Sequence, residues 1–503
     1  MSELFDVLNP PGFRAEARAQ GLTLQRALYE ALKRGIVQGR LLPGASLPGS
    51  RELAQELGMG RNGVVHAYEQ LATEGHLQCS RQGTVVAALG AGVHGSGRAE
   101  GHTEGRKGGR ASADGERPRR AALSRRSEGF HRLRDPAQEL LPFMPGIPAL
   151  DAFPIAQWDR LMAQSRRHSG SDALCYRDPS GEPELRQAIA TYLRAARGVH
   201  AGADQVFVTD GTQQALELCA RLLADVGDTA WIEHPGYGGA RTALLQAGLR
   251  LQPVTVDAEG IHPPEAWWAE RTPRLVYTTP SHQYPLGPTL TLARRMQLIE
   301  QARRHGCWLI EDDYDSEFRH DGPPLAAMQG QVQDAPVVYL GTFSKTVFPA
   351  LRTGFMVLPA AVAEQAAGVI GAWAPRGHAI AQRALASFIA EGHFTRHLRR
   401  MRQLYRGRQV ALREALATHW PWPGEVLGAQ AGMHLVLSLP EGLPDHALCE
   451  AALQQGLSPR PLTAYGTGGI GGFNGLVMGY ANTPAETMVP LVRTLASVAR
   501  SLA

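Results

Sequence analysis

The sequence predicts a multidomain protein. A small N-terminal winged helix-turn-helix, mainly α with a short β wing, precedes a large α/β domain with a largely parallel sheet. Three observations carry this. At 503 residues, 44% of them apolar, the chain is too long for one core and apolar enough for more than one. Residues 22–89 are dense in helix and turn signals. From about residue 137 onward, short apolar runs such as "QVFVT", "LVYTT", "CWLIED" and "VVYLG" alternate with helical stretches.

Between these regions lies a Gly-, Arg- and Ser-rich stretch with no aromatic residue until Phe130. It has too little apolar surface to fold alone and reads as a flexible basic linker over 90–136. Residues 1–90 carry nine Lys/Arg against eight Asp/Glu, and residues 91–134 carry eleven against five. The basic excess therefore sits in this stretch, and the remainder after it is slightly acidic. The five cysteines, Cys79, Cys175, Cys219, Cys307 and Cys449, show no metal or redox spacing. They are expected to be small buried apolar residues in a reducing compartment, and no metal site is expected. No apolar run approaches a membrane span, and "MSELFDVLNPPGF" lacks the basic start and apolar core of a signal peptide. A cytoplasmic protein without membrane contact is the expectation.

In "LTLQRALYEALKRGIVQG", Leu24, Ala27, Leu28, Ala31, Leu32 and Ile36 share one helical face. "RLLPGASLPG" ends that helix. Ser50 is placed to cap the next helix, "RELAQELG", and Gly58 to end it. A third helix, "RNGVVHAYEQLATEG", buries Val64, Val65, Tyr68, Leu71 and Ala72. "HLQCSRQGTVVA" then reads as a hairpin wing. This geometry presents the start of the third helix to a DNA major groove. Ser50, Arg51, Arg61, Asn62 and Arg81 are the candidate DNA contacts, with Arg51 and Arg81 on phosphates. A protein-binding module with solvated arginines is the other reading of the same pattern.

From about Gly21 to Leu89 the stretch resembles the GntR family of bacterial regulators. The likeness rests on "GRLLPGASLPGSRELAQELGMGRN", "AYEQLATEGHL" and "GTVV". Where that family has Ser-Arg-x-Thr-Val, this chain has Gly60-Arg61-Asn62-Gly63-Val64. Gly60 brings no capping oxygen, and Gly63 costs its helix about 1 kcal/mol relative to Ala.

Four segments of the large domain need a joint explanation. "QVFVTDGTQQAL" places Gly211 and Thr212 where a strand gives way to a helix, a junction that favours a phosphate. "CWLIEDDYDSEF" ends a buried strand in Glu311, Asp312 and Asp313, followed by Tyr314. Acids there suit a metal or a cationic ring nitrogen. "GTFSKTVFPALRTGF" sets Lys345 beside Thr342 and Ser344, with Arg352 behind. The hydroxyls and arginine suit a dianionic phosphate, and a lysine near cations can attack an aldehyde. "EHPGYGGA" offers Tyr237 as an aromatic cover for a flat ring. Pyridoxal 5′-phosphate (PLP) meets all four demands. Its aldehyde suits Lys345, its phosphate suits Gly211, Thr212, Ser344 and Arg352, and its pyridine nitrogen needs an acid.

Most of residues 140–500 resembles fold-type I aminotransferases through "YRDPSGEPELRQAIATYL", "TDGTQQAL", "HPGYGG", "TTPSHQYPLG", "EDDYDSEF" and "GTFSKTVFPALRTGF". With the N-terminal half, the chain is similar to the MocR-type regulators, in which a GntR domain is fused to an aminotransferase-like domain. The resemblance implies domains at 21–89 (DNA-binding), 90–136 (linker) and 137–503 (PLP-binding, large part 137–375, small part 376–503). It implies Lys345 as the Schiff-base lysine, Asp312 facing the pyridine nitrogen, Tyr314 near the phenolic oxygen and Tyr237 stacked on the ring. Gly211, Thr212, Gln213, Thr342, Ser344 and Arg352 fall on the phosphate side, and His282 lies in the "PSHQYP" loop.

Aminotransferases also carry a carboxylate-binding arginine near the last strand, where this chain has "GLVMGYAN". Arg460, in "LSPRPLTAY", is the candidate substitute as an effector contact. The expected protein is a PLP-binding transcriptional regulator of double-stranded operator DNA. It is expected to be a homodimer, with a head-to-tail arrangement among the options, that responds to PLP or a small amino compound. The rivals are an active aminotransferase with an accessory DNA-binding domain, and a PLP sensor controlling vitamin B6 synthesis.

Overall fold

A computed structural model describes residues 4, 7–8, 12–80, 83–88, 124, 135–322, 325–373, 377–466 and 472–503. Arg81 and nearly all of the stretch read as linker lie outside the described residues. The chain divides into two compact units, Met1–Arg119 and Arg120–Ala503. Among the described residues, no helix is long and apolar enough to cross a membrane.

In the first unit the order is α1 (Phe13–Ala19), α2 (Leu24–Val37), β1 (Ser46–Leu47), α3 (Ser50–Glu56), α4 (Arg61–Thr73), β2 (Leu77–Ser80) and β3 (Gly83–Val86). Thr23 caps α2 by accepting from the Arg26 amide. The apolar stripes of α2, α3 and α4 meet at Leu28, Leu32, Leu53, Val64 and Leu71, all fully buried. Leu4, Leu8 and Phe13 join that core, so it extends N-terminal to Gly21. On α4 it is Ala67 that is buried beside Val64, Tyr68 and Leu71, while Val65 and Ala72 are only half-buried. β2 and β3 form the hairpin, and β1 pairs antiparallel with β3. One boundary is corrected. Gly49, not Ser50, is the N-cap of α3, and Ser50 is already helical with no capping bond. Gly58 follows α3 at φ +60°, the left-handed turn that stops it.

The second unit is built on an eight-stranded sheet. Its strands are β4 (Val206–Thr209), β5 (Thr229–His234), β6 (Arg250–Asp257), β7 (Gly260–Ile261), β8 (Leu275–Thr278), β9 (Trp308–Asp313), β10 (Val337–Thr342) and β11 (Gly354–Val357). Their order is β4-β11-β10-β9-β8-β5-β6-β7. β6, β5, β8, β9 and β10 run parallel, while β11 is antiparallel to both its neighbours, so β4 points the same way as β10. β4, β8 and β10 are buried throughout, as strands covered on both faces are.

A second, antiparallel sheet has the order β12 (Val426–Leu427), β13 (His434–Ser438), β15 (Gly475–Gly479), β14 (Arg460–Pro461). It shares a core with the helices His393–His419 and Met488–Leu502, through Leu412, Leu435, Leu476 and Leu495. Two of the five cysteines contradict the expectation of burial. Cys79 and Cys175 are exposed, Cys79 on the short wing strand β2 and Cys175 just after a surface 3-10 turn.

Candidate functional site

The parallel strands deliver their carboxyl ends to one edge of the large sheet, where ligands of open α/β sheets gather. β4 leads to Gly211, β5 to Tyr237, β8 to Thr279, β9 to Asp312 and β10 to Lys345. A cavity of about 270 Å³ opens there. Its wall includes Thr212, Gln213, Tyr237, Asp312, Tyr314, Thr342, Ser344, Lys345 and Arg352. Gly211 stands beside it at φ +88°, and a Cβ there would lie 3.6 Å from the Arg352 guanidinium carbon. Residues far apart in sequence thus form one site.

The three acids at the end of β9 have separate tasks. Glu311 accepts the backbone amides of Met328 and Gln329 at 2.8 and 2.9 Å. Asp313 pairs with the fully buried Arg197, at 2.8 Å from its Nε. Asp312, pointing to the opposite face between them, is the one that reaches the cavity. Its Oδ2 accepts from the Tyr277 hydroxyl at 2.7 Å, and its Oδ1 is buried with no hydrogen-bond partner. Burial pushes the Asp312 carboxyl up to about 7, against the Tyr277 hydrogen bond, which lowers it. A buried acceptor without a donor is costly, so this oxygen is suited to a ligand N–H.

Lys345 Nζ donates to the Gly146 carbonyl at 2.7 Å. A Cβ at Gly146 would meet that Nζ at 3.0 Å, so glycine is what lets the ammonium in. The Ser344 amide donates to Thr342 Oγ1 at 3.1 Å. Arg352 sits at φ +48°, a strained conformation for an arginine, and donates to the Asp210 carbonyl at 3.1 Å. Gln213 reaches the Gly239 carbonyl at 3.3 Å. Tyr237 packs edge-on against Tyr284, centroids 6.0 Å apart.

His282 does not line the cavity but lies behind it. Its Nδ1 is 3.0 Å from the Tyr314 hydroxyl and 3.1 Å from Asp315 Oδ1. Burial raises the Asp315 carboxyl and the Tyr314 phenol, and it lowers the His434 imidazole to about 3, so His434 is neutral. His282, Asp315 and His434 bring potential metal-ligand atoms within 4.8 Å of one another, among the described residues. His434 donates from Nε2 to the Pro285 carbonyl at 3.0 Å.

Arg460 does not join the site. It pairs with Val477 in the small sheet and is absent from the cavity wall. Conversely, sequence reasoning passed over Gly146, Tyr277, Asp315 and His434 as site residues. Tyr277 carried a faint signal, a hydroxyl inside an apolar strand. What reveals its role is the register of Tyr277 against Ile310, which sets it diagonally from Asp312 on the same face.

In the first unit, the starts of α3 and α4 come together. Arg61 Nε donates to Ser50 Oγ at 3.3 Å, and Arg51, Arg61 and Asn62 are exposed. Arg81 lies outside the described residues.

The fold and the arrangement of the sites define a class: a winged helix-turn-helix carried in one chain with a fold-type I aminotransferase domain. Comparisons agree. Residues 24–86 match the profile of the bacterial regulatory proteins of the gntR family, and residues 150–494 match that of the class I and II aminotransferases. The chain is 38% identical to the probable rhizopine catabolism regulatory protein MocR of Rhizobium meliloti, over 95% of this chain and 94% of the relative. It is 30% identical to the pyridoxine biosynthesis transcriptional regulator PdxR of Corynebacterium glutamicum, over 92% of each. The alpha-aminoadipate aminotransferase LysN from Thermus thermophilus, solved with N-(5'-phosphopyridoxyl)-L-leucine, matches with a TM-score of 0.65. That match has 28% identity and covers 72% of this chain and 92% of LysN. The chain belongs to the MocR-type branch of the GntR transcriptional regulators.

Proposed function

We propose that the cavity of the second unit holds PLP, and that its loading and the binding of a small amino compound control how the regulator engages operator DNA. The observation that carries this is the pair formed by Asp312 and Lys345. One wall offers a buried carboxylate oxygen lacking a donor, and the same cavity offers a primary amine. When bound, the group supplies an aldehyde and an electron-withdrawing ring. Asp312 Oδ1 accepts the ring N–H and keeps the ring cationic. Lys345 supplies the amine for the aldehyde. Arg352, Ser344, Thr342 and Thr212, with the helix start after Gly211, hold the phosphate, and Gln213 steadies that edge. Tyr237 covers the ring. Tyr314 donates toward the phenolic oxygen, and His282 with Asp315 orients Tyr314.

The regulator acts in the cytoplasm as a homodimer, each DNA-binding domain (21–89) tethered by the basic linker (90–136) to its PLP domain (137–503). Ser50, Arg51, Arg61, Asn62 and Arg81 form its DNA-contacting set, and paired domains read paired half-sites. PLP itself is the alternative effector, a reading favoured by the relative that regulates pyridoxine biosynthesis.

A gel shift on the DNA upstream of the chain's own gene tests the proposal, using protein without PLP, with PLP, and with PLP plus amino compounds. Operator affinity that changes with loading supports it. Steady turnover of an amino acid with a 2-oxo acid, without any change in DNA binding, points to an enzyme instead. Lys345→Ala is expected to abolish the visible absorbance of the loaded protein, and an unchanged band would remove Lys345 from the role.

A further inference from the structure

Among the described residues, Tyr277 is the side chain hydrogen-bonded to the acid that faces the cofactor ring. Its place follows from the strands. β8 and β9 pair in parallel with Tyr277 opposite Ile310, so Tyr277, Ile310 and Asp312 project to the same face. Tyr277 belongs to the apolar cluster that includes Ile232, Ile310 and Leu340, and only 1% of it is exposed. Those neighbours would accommodate a phenylalanine equally well, and they offer a hydroxyl nothing to bond. The hydroxyl instead donates to Asp312 Oδ2 at 2.7 Å.

The three acids of β9 are provided for in different ways. Glu311 has two backbone amides, and Asp313 has Arg197 together with the Tyr339 hydroxyl. Among the described residues Asp312 has Tyr277 alone, and on one oxygen only. That single donor restrains the turn of the carboxyl group. Oδ2 is thereby occupied, and Oδ1 is the oxygen left for a ligand. The phenol stays a donor, because burial, followed by the nearby Asp312, raises it well above its ordinary value.

The groups that face Asp312 are Tyr277 on β8, Asp313 beside it on β9, Glu233 on β5, Lys345 after β10, Tyr314, and Cys219 on the helix Thr212–Leu223. Burial disfavours the ionised carboxyl most, and Asp313 and Glu233 add to that. The Tyr277 hydrogen bond is the largest influence in the other direction, ahead of Lys345. We infer that Tyr277 is a positioning residue of the cofactor site: by holding Oδ2 it turns Oδ1 toward the ring nitrogen and lets Asp312 meet the ring as an anion. This rests on the PLP reading above and adds to that site a residue that acts through Asp312 rather than on the cofactor.

The test compares the full-length protein with Tyr277→Phe, which removes one oxygen atom. PLP affinity is titrated by visible absorbance across pH. Below pH 7 Asp312 is mostly neutral in the empty site and ionised against the ring, so the lost hydrogen bond weakens chiefly the loaded state. Tyr277→Phe is therefore expected to lower PLP affinity by about tenfold at pH 6. Well above pH 7 Asp312 is ionised in both states, the loss applies to both, and the affinities are expected to converge by pH 9. The PLP-free proteins are expected to show the complementary pattern, the variant melting below the parent at pH 9 and close to it at pH 6. An undiminished affinity at pH 6 overturns the inference. So does a loss of equal size at both pH values, which is what a merely distorted cavity gives. Should Tyr277→Phe not fold, 3-fluorotyrosine in place of Tyr277 supplies the converse. A more acidic phenol donates more strongly, so PLP binding at pH 6 is expected to tighten, and unchanged or weaker binding overturns the inference. A parent protein that takes up no PLP at any pH ends the PLP reading itself, whereas normal loading that Tyr277→Phe leaves untouched ends only this one.

Discussion

Asp312 shows how much one residue's surroundings decide. The same carboxylate on a surface loop would titrate near 3.8, whereas burial at the end of β9 raises it to about 7. Because the folded value lies above the unfolded one, the group's contribution to stability is fully present below about pH 4. It is lost as pH rises through 7. Asp312→Asn removes the ionisable group and keeps an acceptor for Tyr277. In the PLP-free protein, the variant is therefore expected to melt at a higher temperature than the parent above pH 7, the gain fading toward pH 4. PLP affinity should fall, since an amide carries no charge to hold a ring cation. Thermal melts across pH, set beside PLP titrations, check both. A variant that loses stability at pH 8 and keeps its PLP affinity would contradict the assignment. The residue scale is also where sequence reading was strongest. Lys345, Tyr237, Ser344 and Arg352 each had a chemistry that a strand end could use. It was weakest for His282 and Arg460. Nothing in a sequence says whether a histidine lines a cavity or stands behind it, or that a strand edge holds an arginine away.

At the scale of elements, junctions matter more than the strands and helices they join. Gly211 connects β4 to the helix Thr212–Leu223 at φ +88°, where a Cβ has room but the backbone conformation is strained for any L side chain. Gly211→Ala is expected to cost about 1–3 kcal/mol through that strain. It should also lower PLP affinity, because the helix start must shift; calorimetry of loaded and unloaded protein separates the two losses. At the start of α4, a Cβ added to Gly63 would meet the Met59 methyl at 2.9 Å and the Gln25 Cβ at an ordinary contact distance of 3.7 Å. That methyl ends a flexible side chain and can move. Gly63→Ala is therefore expected to stabilise α4 by up to about 1 kcal/mol, the ordinary helix-propensity gain. Slower amide exchange along 64–73 would register it. Gly58 and Gly75 marked the ends of α3 and α4 to within about two residues. The N-cap of α3 was not, because Gly49 and Ser50 are both acceptable starts and only backbone geometry chooses between them.

At the scale of the whole molecule, the two units place different chemistry in one chain. The exposed pair Arg61 and Asn62 belongs to the first unit, the Asp312–Lys345 cavity to the second. Arg61→Ala is expected to weaken operator binding by about 1–3 kcal/mol and to leave PLP uptake unchanged. Gel shifts and visible absorbance on one preparation measure both, and unchanged DNA affinity would pass the reading role to another residue. The sequence alone determined the two-part architecture, the strand-end positions of the reactive residues and the family. It could do so because periodicity, turn residues and short motifs are local and survive being read in a line. Tertiary structure decided which of three consecutive acids faces the cavity and that Tyr277 holds it. It also decided that Gly146 makes room for Lys345. Those outcomes depend on strand register and on segments as far apart as residues 139 and 434 sharing one wall, and such contacts come into being only when the chain folds.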